Sequence, residues 1–311
     1  MLPHFLKSYG IYLLTYWLVY IIATLGLNLI VGYAGLKALG HAAFFGIGAY
    51  TSAILMQAGI SFWLALPAAA ILCFVLGLLV GFPALRVQMH YLAFATLGLN
   101  ELVTLVLKNE EWLTGGTFGI SDIQRPALFG YALDGSIPYY YFVLFFALIA
   151  FLLLWWIVHS PWGKAFTALR DNPIRAESLG VNIQRYTLLA FAIGGVYAGV
   201  AGVLFASLVE FINPAPFDVQ ISILMFLMVI LGGPGYLLGP VLGAAVGVFA
   251  PEWLRFTEGW YLLLFGAVIV ALMVWLPGGL LSLRQAIIAR REAREQMAAR
   301  IAAAAQVGKQ A

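Results

Sequence analysis

Nine apolar runs divide this sequence, at about 11–31, 39–57, 62–82, 91–107, 139–158, 186–209, 219–231, 240–251 and 259–276. Several reach the roughly 20 residues that a helix needs to cross about 30 Å of hydrocarbon, and they are continuous, where a barrel strand would alternate. With 63% of residues hydrophobic and 9% charged, no water-soluble core could absorb them. The expected fold is therefore an all-α, polytopic integral membrane bundle of about eight or nine transmembrane helices. The two short runs either side of Gly232 read either as separate spans or as a broken, re-entrant pair. The N-terminus has one lysine and no small-residue cleavage site, so the first helix is expected to stay.

The longest polar interruption late in the chain, 159–185, carries Lys164, Arg170, Arg175 and Arg185 with Asp171 and Glu177, and must lie in water beside the membrane. It reads as helix, break at Pro173, and a second short helix stopped by Gly180. Such a segment is either a docking surface or an ordinary solvated loop. If it is cytoplasmic, alternation puts Lys37, Arg86, Lys164, Arg170, Arg175, Arg185, Arg284, Arg290, Arg291, Arg294, Arg300 and Lys309 on that side. That is 12 of the 16 basic residues, as the positive-inside rule requires. The other face receives Glu110, Glu111, Asp122, Asp134, Glu210, Asp218, Glu252 and Glu258, and Lys7 falls there against the rule. Glu210 and Asp218 read as loop charges.

The division expected is a membrane domain over 1–280, with a cytoplasmic segment at 159–185 and an external loop at 108–138, followed by a basic tail over 281–311. The tail reads as an anchor for anionic lipid headgroups. Gly77/Gly81, Gly195/Gly199, Ala198/Gly202 and Gly239/Gly243/Gly247 show the small-xxx-small spacing that packs membrane helices. The lone Cys73 reads as a packing residue.

No catalytic constellation is visible. Val158 and Ala303 stand where a phosphate loop ending at Lys164 or Lys309 would need its first glycine, so the chain has no evident ATPase of its own. His4, His41, His90 and His159 are scattered, no metal site is expected, and a net charge of +3 points to membrane faces and away from nucleic acid. The informative polar residues lie inside the spans. Thr96, Asn100 and Thr104 recur every four positions and share one face of a helix, with Glu101 beside them. Asn28 and His41 flank a glycine-rich run. Asn28, His41, Thr96, Asn100 and Glu101 either line a path through the bundle or are satisfied by neighbouring helices.

Four stretches carry a resemblance over about 23–281. They are Leu27-Asn28-Leu29-Ile30-Val31-Gly32-Tyr33-Ala34-Gly35 continuing through Leu39-Gly40-His41; Leu113-Thr114-Gly115-Gly116; Ala168-Leu169-Arg170-Asp171 with Ala176-Glu177-Ser178-Leu179-Gly180-Val181; and Leu231-Gly232-Gly233-Pro234-Gly235 with Gly239-Pro240. Together they resemble the LivM-type permease of branched-chain amino acid ABC importers, with departures at Lys37 and at Val87-Gln88-Met89-His90. The resemblance implies a multi-pass permease of a bacterial-type cytoplasmic (inner) membrane, moving branched-chain amino acids by alternating access. It implies a second homologous permease subunit, two cytoplasmic ATP-binding subunits and a periplasmic or extracellular substrate-binding protein as partners, besides membrane lipid. No cofactor is then bound by this chain, ATP and Mg being used by the partners. Arg170, Asp171, Asn172, Pro173, Arg175, Ala176, Glu177, Ser178, Leu179 and Gly180 become the ATPase-coupling residues, with Arg175 and Glu177 as contacts. Urea or short-chain amides are the nearest alternative substrates. From another class, an ion-coupled secondary transporter or channel would need a relay of which Glu101 is the one clear member.

Overall fold

The computed structural model describes residues 8–84, 89–128, 131–133, 135–254 and, further on, 263, 266, 267, 269–271, 274 and 278–282. The turn at Arg86, most of the run 259–276 and the tail from Leu283 lie outside the described residues. The other eight runs are all helical, because in hydrocarbon only a helix satisfies its own backbone within one segment. They are α1 (Ser8–Asn28, continued by a π turn Leu29–Tyr33), α2 (His41–Gln57), α3 (Phe62–Ala84) and α4 (Met89–Asn109). After the one-turn α5 (Glu111–Thr114) and an antiparallel ladder of β1 (Ala127–Leu128) with β2 (Tyr131–Ala132) comes α6 (Ser136–His159). The loop 108–138, expected to be external, holds a small hairpin, Ala127 opposite Ala132, besides its short helices. Two polar helices follow, α7 (Pro161–Asp171) and α8 (Pro173–Ser178), then α9 (Ile183–Val209), α10 (Val219–Gly232) and α11 (Gly239–Leu254).

α1 and α9 form the centre. In their apolar spans 78% and 72% of residues are buried, against 28% for α3 and α4 and 33% for α6, whose outer faces are left for lipid or partners. α9 packs on α1, α2 and α3, while α6 and α11 pack on α1. Where α1, α2 and α9 meet, Tyr20, Phe45, Phe205 and Phe217 form one aromatic cluster with ring centres 5.2 to 6.1 Å apart. The glycine pairs sit at the seams. A Cβ on Gly199 would lie 2.5 Å from the sulfur of the buried Cys73, and one on Gly243 would run into the Met228 carbonyl. Helix association in lipid rests on such close contact.

Contacts sort the connections onto two ends. At one end Gln57 Nε2 donates to the Ser121 carbonyl, Ile120 bridges Ile212, and Arg125 pairs with Glu210 at 2.7 Å. At the other, Arg170 reaches Gly32, Asn28 bonds the 235–236 turn, and Leu280 N donates to Leu231 O. The connections thus share ends in the order that alternation of the spans requires. α10 has 14 residues, hence a length of about 21 Å at 1.5 Å per residue, short of the hydrocarbon thickness, and the described part of α11 runs Gly239–Leu254. The two pack antiparallel around the turn 233–238. α10 starts where Phe217 is fully buried, and Asp218 is its cap, with Oδ1 accepting the Ile221 N–H at 3.2 Å. Asp218 is therefore a helix-starting residue and not a loose loop charge.

Gly243→Val is expected to wedge α11 off α10 and lower the thermal midpoint of the purified subunit by several degrees, overpacking costing about 1–3 kcal/mol. Gly98→Ala, where an added Cβ meets nothing within 4 Å, is expected to leave it unchanged. Thermal unfolding in one detergent checks both.

Candidate functional site

Each break in the polar segment 159–185 carries a local stop and start signal. Ser160 caps α7, accepting the Trp162 N–H at 3.2 Å, with Pro161 in the first turn. Asn172 Oδ1 caps α8 through the Arg175 N–H at 3.0 Å, again with a proline, Pro173, beside it. Asn182 Oδ1 caps α9 through Arg185 N at 3.0 Å. α8 ends in a Schellman turn: Gly180 N bonds Glu177 O at 2.9 Å, Val181 N bonds Ala176 O at 3.0 Å, and Gly180 has φ +86°. Prolines that cannot donate and caps that fix each start make the segment a shaped rod.

The rod is seated on one side and bare on the other. Phe166 and Leu169 of α7 are buried, Phe166 meeting Tyr186 edge-on at 5.6 Å, and Ala176 is the buried residue of α8. Arg175, Glu177, Ser178 and Gly180 face water, and with them Ile174 and Leu179, which are 80% and 82% exposed. Ile174 escaped the sequence reading. Its signal is that a strongly apolar side chain lies in a segment too charged to enter the bilayer. Arg170 and Asp171 do not face outward as one pair of contacts. Arg170 turns back to the bundle, its Nη1 donating to the Gly32 carbonyl at 2.8 Å, while its Nε bonds the exposed Asp171 at 3.1 Å.

The intramembrane polar residues fall into two places. Thr96, Asn100 and Thr104 are all buried and face the start of α2 and the start of α10. The first helical amides of α2 have no side-chain cap, since Gly40 precedes them. Thr96 Oγ1 accepts Leu39 N at 2.9 Å and Ser222 Oγ accepts Ala42 N at 2.8 Å. Ser222 donates to Asn100 Oδ1 at 2.9 Å, and Asn100 Nδ2 and Thr104 Oγ1 both reach the Phe217 carbonyl, at 3.2 and 3.3 Å. His41 Nε2 lies 2.9 Å from the Ala23 carbonyl; a carbonyl only accepts, so that nitrogen carries the proton. Asn28, fully buried, bonds Gly235 N and Tyr236 O. Apart from His41, whose partner lies within the unbroken part of α1, these residues close gaps in the backbone hydrogen bonding of broken helices. Glu101 points the other way. It is exposed, in a mostly apolar groove of about 810 Å³ between α3 and α4, walled by Leu76, Leu79, Leu92, Leu102 and Leu105, with Thr96 also at its lining.

Comparison with known proteins bears on the whole chain. The family described as "Branched-chain amino acid transport system / permease component" matches residues 10–275. The high-affinity branched-chain amino acid transport system permease protein LivM of Escherichia coli (strain K12) is 36% identical over 86% of this chain and 68% of that protein. LivM of Salmonella typhimurium is 35% identical over 90% of this chain and 71% of that protein. The autoinducer 2 import system permease protein LsrC of Escherichia coli O9:H4 is 30% identical over 64% of this chain and 58% of that protein. No solved structure matches. Among the described residues, five helices long and apolar enough to cross a bilayer, with α2, α10 and α11 beside them, agree with a multi-pass protein of a bacterial-type inner membrane. Family match, coverage and helical architecture together place the chain in the permease-component family of branched-chain amino acid transport systems.

Proposed function

We propose that this chain forms half of a translocation path for branched-chain amino acids and is worked by separate ATP-hydrolysing subunits, with ATP and Mg bound by those partners and not by this chain. The observation that carries the reading is the capped α7–α8 rod, seated by Phe166, Leu169 and Ala176 and presenting Ile174 and Leu179 to water beside Arg175 and Glu177. A rigid helix pair of this kind fits a groove in an ATP-binding subunit, and closure of two such subunits on ATP would move it relative to the bundle. The second permease subunit completes the path. The outer loop, tied down by Ile120–Ile212 and Arg125–Glu210 and exposing Trp112 and Phe118, is the proposed seat of a substrate-binding protein. The substrate reading rests on the LivM relatives; the LsrC relative carries a different solute by name, so uptake decides it.

Glu101 is proposed to border the path. A carboxylate on the outward face of a span is costly unless it meets water or a partner, and α4 leaves this one uncovered within the subunit. Asn28, His41, Thr96 and Asn100 are proposed to serve the path from behind, by fixing the broken helices next to it.

Four outcomes are expected from these assignments. Ile174→Asp with Leu179→Asp is expected to leave the membrane level unchanged and cut co-purification of the ATP-binding subunits at least tenfold, since two apolar anchors in an interface are worth about 2 kcal/mol or more; undiminished co-purification would refute the docking assignment. Glu101→Cys in the assembled importer is expected to react with a charged, membrane-impermeant thiol reagent, and inertness would place it against lipid or protein. Asn100→Leu should lower thermal stability and uptake together, by about 1–3 kcal/mol in stability, because it strips bonds from Ser222 and the Phe217 carbonyl. Vesicles holding the full complex should accumulate leucine, isoleucine or valine in preference to urea or acetamide.

A further inference from the structure

Two turns at the basic end of the bundle share a pattern. Gly32-Tyr33-Ala34-Gly35 leads through Leu39-Gly40 from α1 into α2, and Gly232-Gly233-Pro234-Gly235 leads through Leu238-Gly239 from α10 into α11. The fourth residue of each, a glycine, takes positive φ, +72° at Gly35 and +81° at Gly235. The turns touch. A Cβ on Gly32 would strike the Gly235 amide, and Asn28 binds the second turn at both ends of its carboxamide, Oδ1 accepting Gly235 N at 2.9 Å and Nδ2 donating to Tyr236 O at 3.0 Å.

Arg170 lies across this junction. Besides its 2.8 Å bond to the Gly32 carbonyl, its stem lies on Gly35, where a Cβ would come within 2.7 Å of Arg170 Cγ. Its Nη1 lies beside Gly235, where a Cβ would come within 2.6 Å. The Gly32 carbonyl belongs to the last turn of α1, where the helix dipole is negative, and a permanently charged planar donor is suited to it. One side chain from α7 therefore touches the turns that join α1 to α2 and α10 to α11.

We infer that Arg170 is a positioning residue that carries displacement of α7–α8 into the paired glycine turns, and through them into four helices of the bundle. The inference rests on the reading that α7–α8 is the ATPase-docking rod. Arg170 then acts inward from the rod, whereas Ile174 and Leu179 act outward from it.

The test uses the complete importer reconstituted in proteoliposomes, with ATP hydrolysis and radiolabelled leucine uptake measured on the same vesicles. Arg170→Gln is expected to keep co-purification of the ATP-binding subunits and ATP hydrolysis within twofold of the parent, while leucine moved per ATP falls at least tenfold. Arg170→Lys keeps the charge but cannot fork across Gly32 and Asp171, and should give an intermediate ratio. A residue needed only for folding would lower uptake and hydrolysis in step and leave the ratio alone. An unchanged ratio in Arg170→Gln overturns the inference and leaves the docking reading standing. Loss of co-purification in Arg170→Gln also overturns it, by making Arg170 an ATPase contact. If Arg170→Gln fails to accumulate, parental coupling in Arg170→Lys overturns the inference, as does failure of both variants to accumulate. ATP-binding subunits that do not associate with the parent chain would instead sink the docking reading itself.

Discussion

Backbone that leaves helical geometry inside hydrocarbon must find hydrogen-bond partners within the protein, and this requirement organises the bundle. Helical order is interrupted at 34–40, at 210–218 and at 233–238. Each interruption is met by a side chain from a distant helix: Asn28 and Arg170 at the two glycine turns, Thr96 and Ser222 at the start of α2, and Asn100 and Thr104 at the Phe217 carbonyl before α10. Removing any one exposes a buried amide or carbonyl whose desolvation costs about 1–3 kcal/mol. The breaks are thereby stable features of the fold, and they supply the places at which helices of a transporter can shift relative to one another.

The division of labour among the polar residues follows. A polar group inside a span can be structural or can meet the solute, and sequence alone leaves both open. Asn28, His41, Thr96 and Asn100 are buried and bond backbone or side chains of other segments, whereas Glu101, one residue along from Asn100, is exposed on the subunit. The small-residue seams do a different task. They bring α2 and α3 against α9, and α10 against α11, close enough that dispersion contacts replace the hydrophobic drive that lipid does not provide.

Much of this is legible in the residues. The spans are, because hydrocarbon imposes both length and composition on them, and the eight described helices fall within a few residues of the apolar runs. The shape of the 159–185 segment is also legible, since Ser160-Pro161, Asn172-Pro173 and Gly180 are local signals that act on their own neighbours. What sequence does not show is direction. Arg170 sits beside Asp171 in a charged stretch and reads as a surface residue, yet its other partner, Gly32, lies 138 positions away. Nor does sequence show that Ile174 and Leu179, apolar side chains in a charged segment, are both exposed. On α4 the polar stripe is inside and the leucines Leu102 and Leu105 are outside, the reverse of a helix in a soluble protein, because here the surroundings are apolar.

The account stands or falls on the side of the membrane to which α8 is presented and on what covers it there. Glu177→Cys places one exposed thiol on the bare face of α8, while the native Cys73 is buried. Labelled with an impermeant maleimide, it should react in inside-out vesicles and not in right-side-out ones, and should become protected when the ATP-binding subunits are added back. Labelling from the outer face, or reactivity indifferent to those subunits, would contradict it.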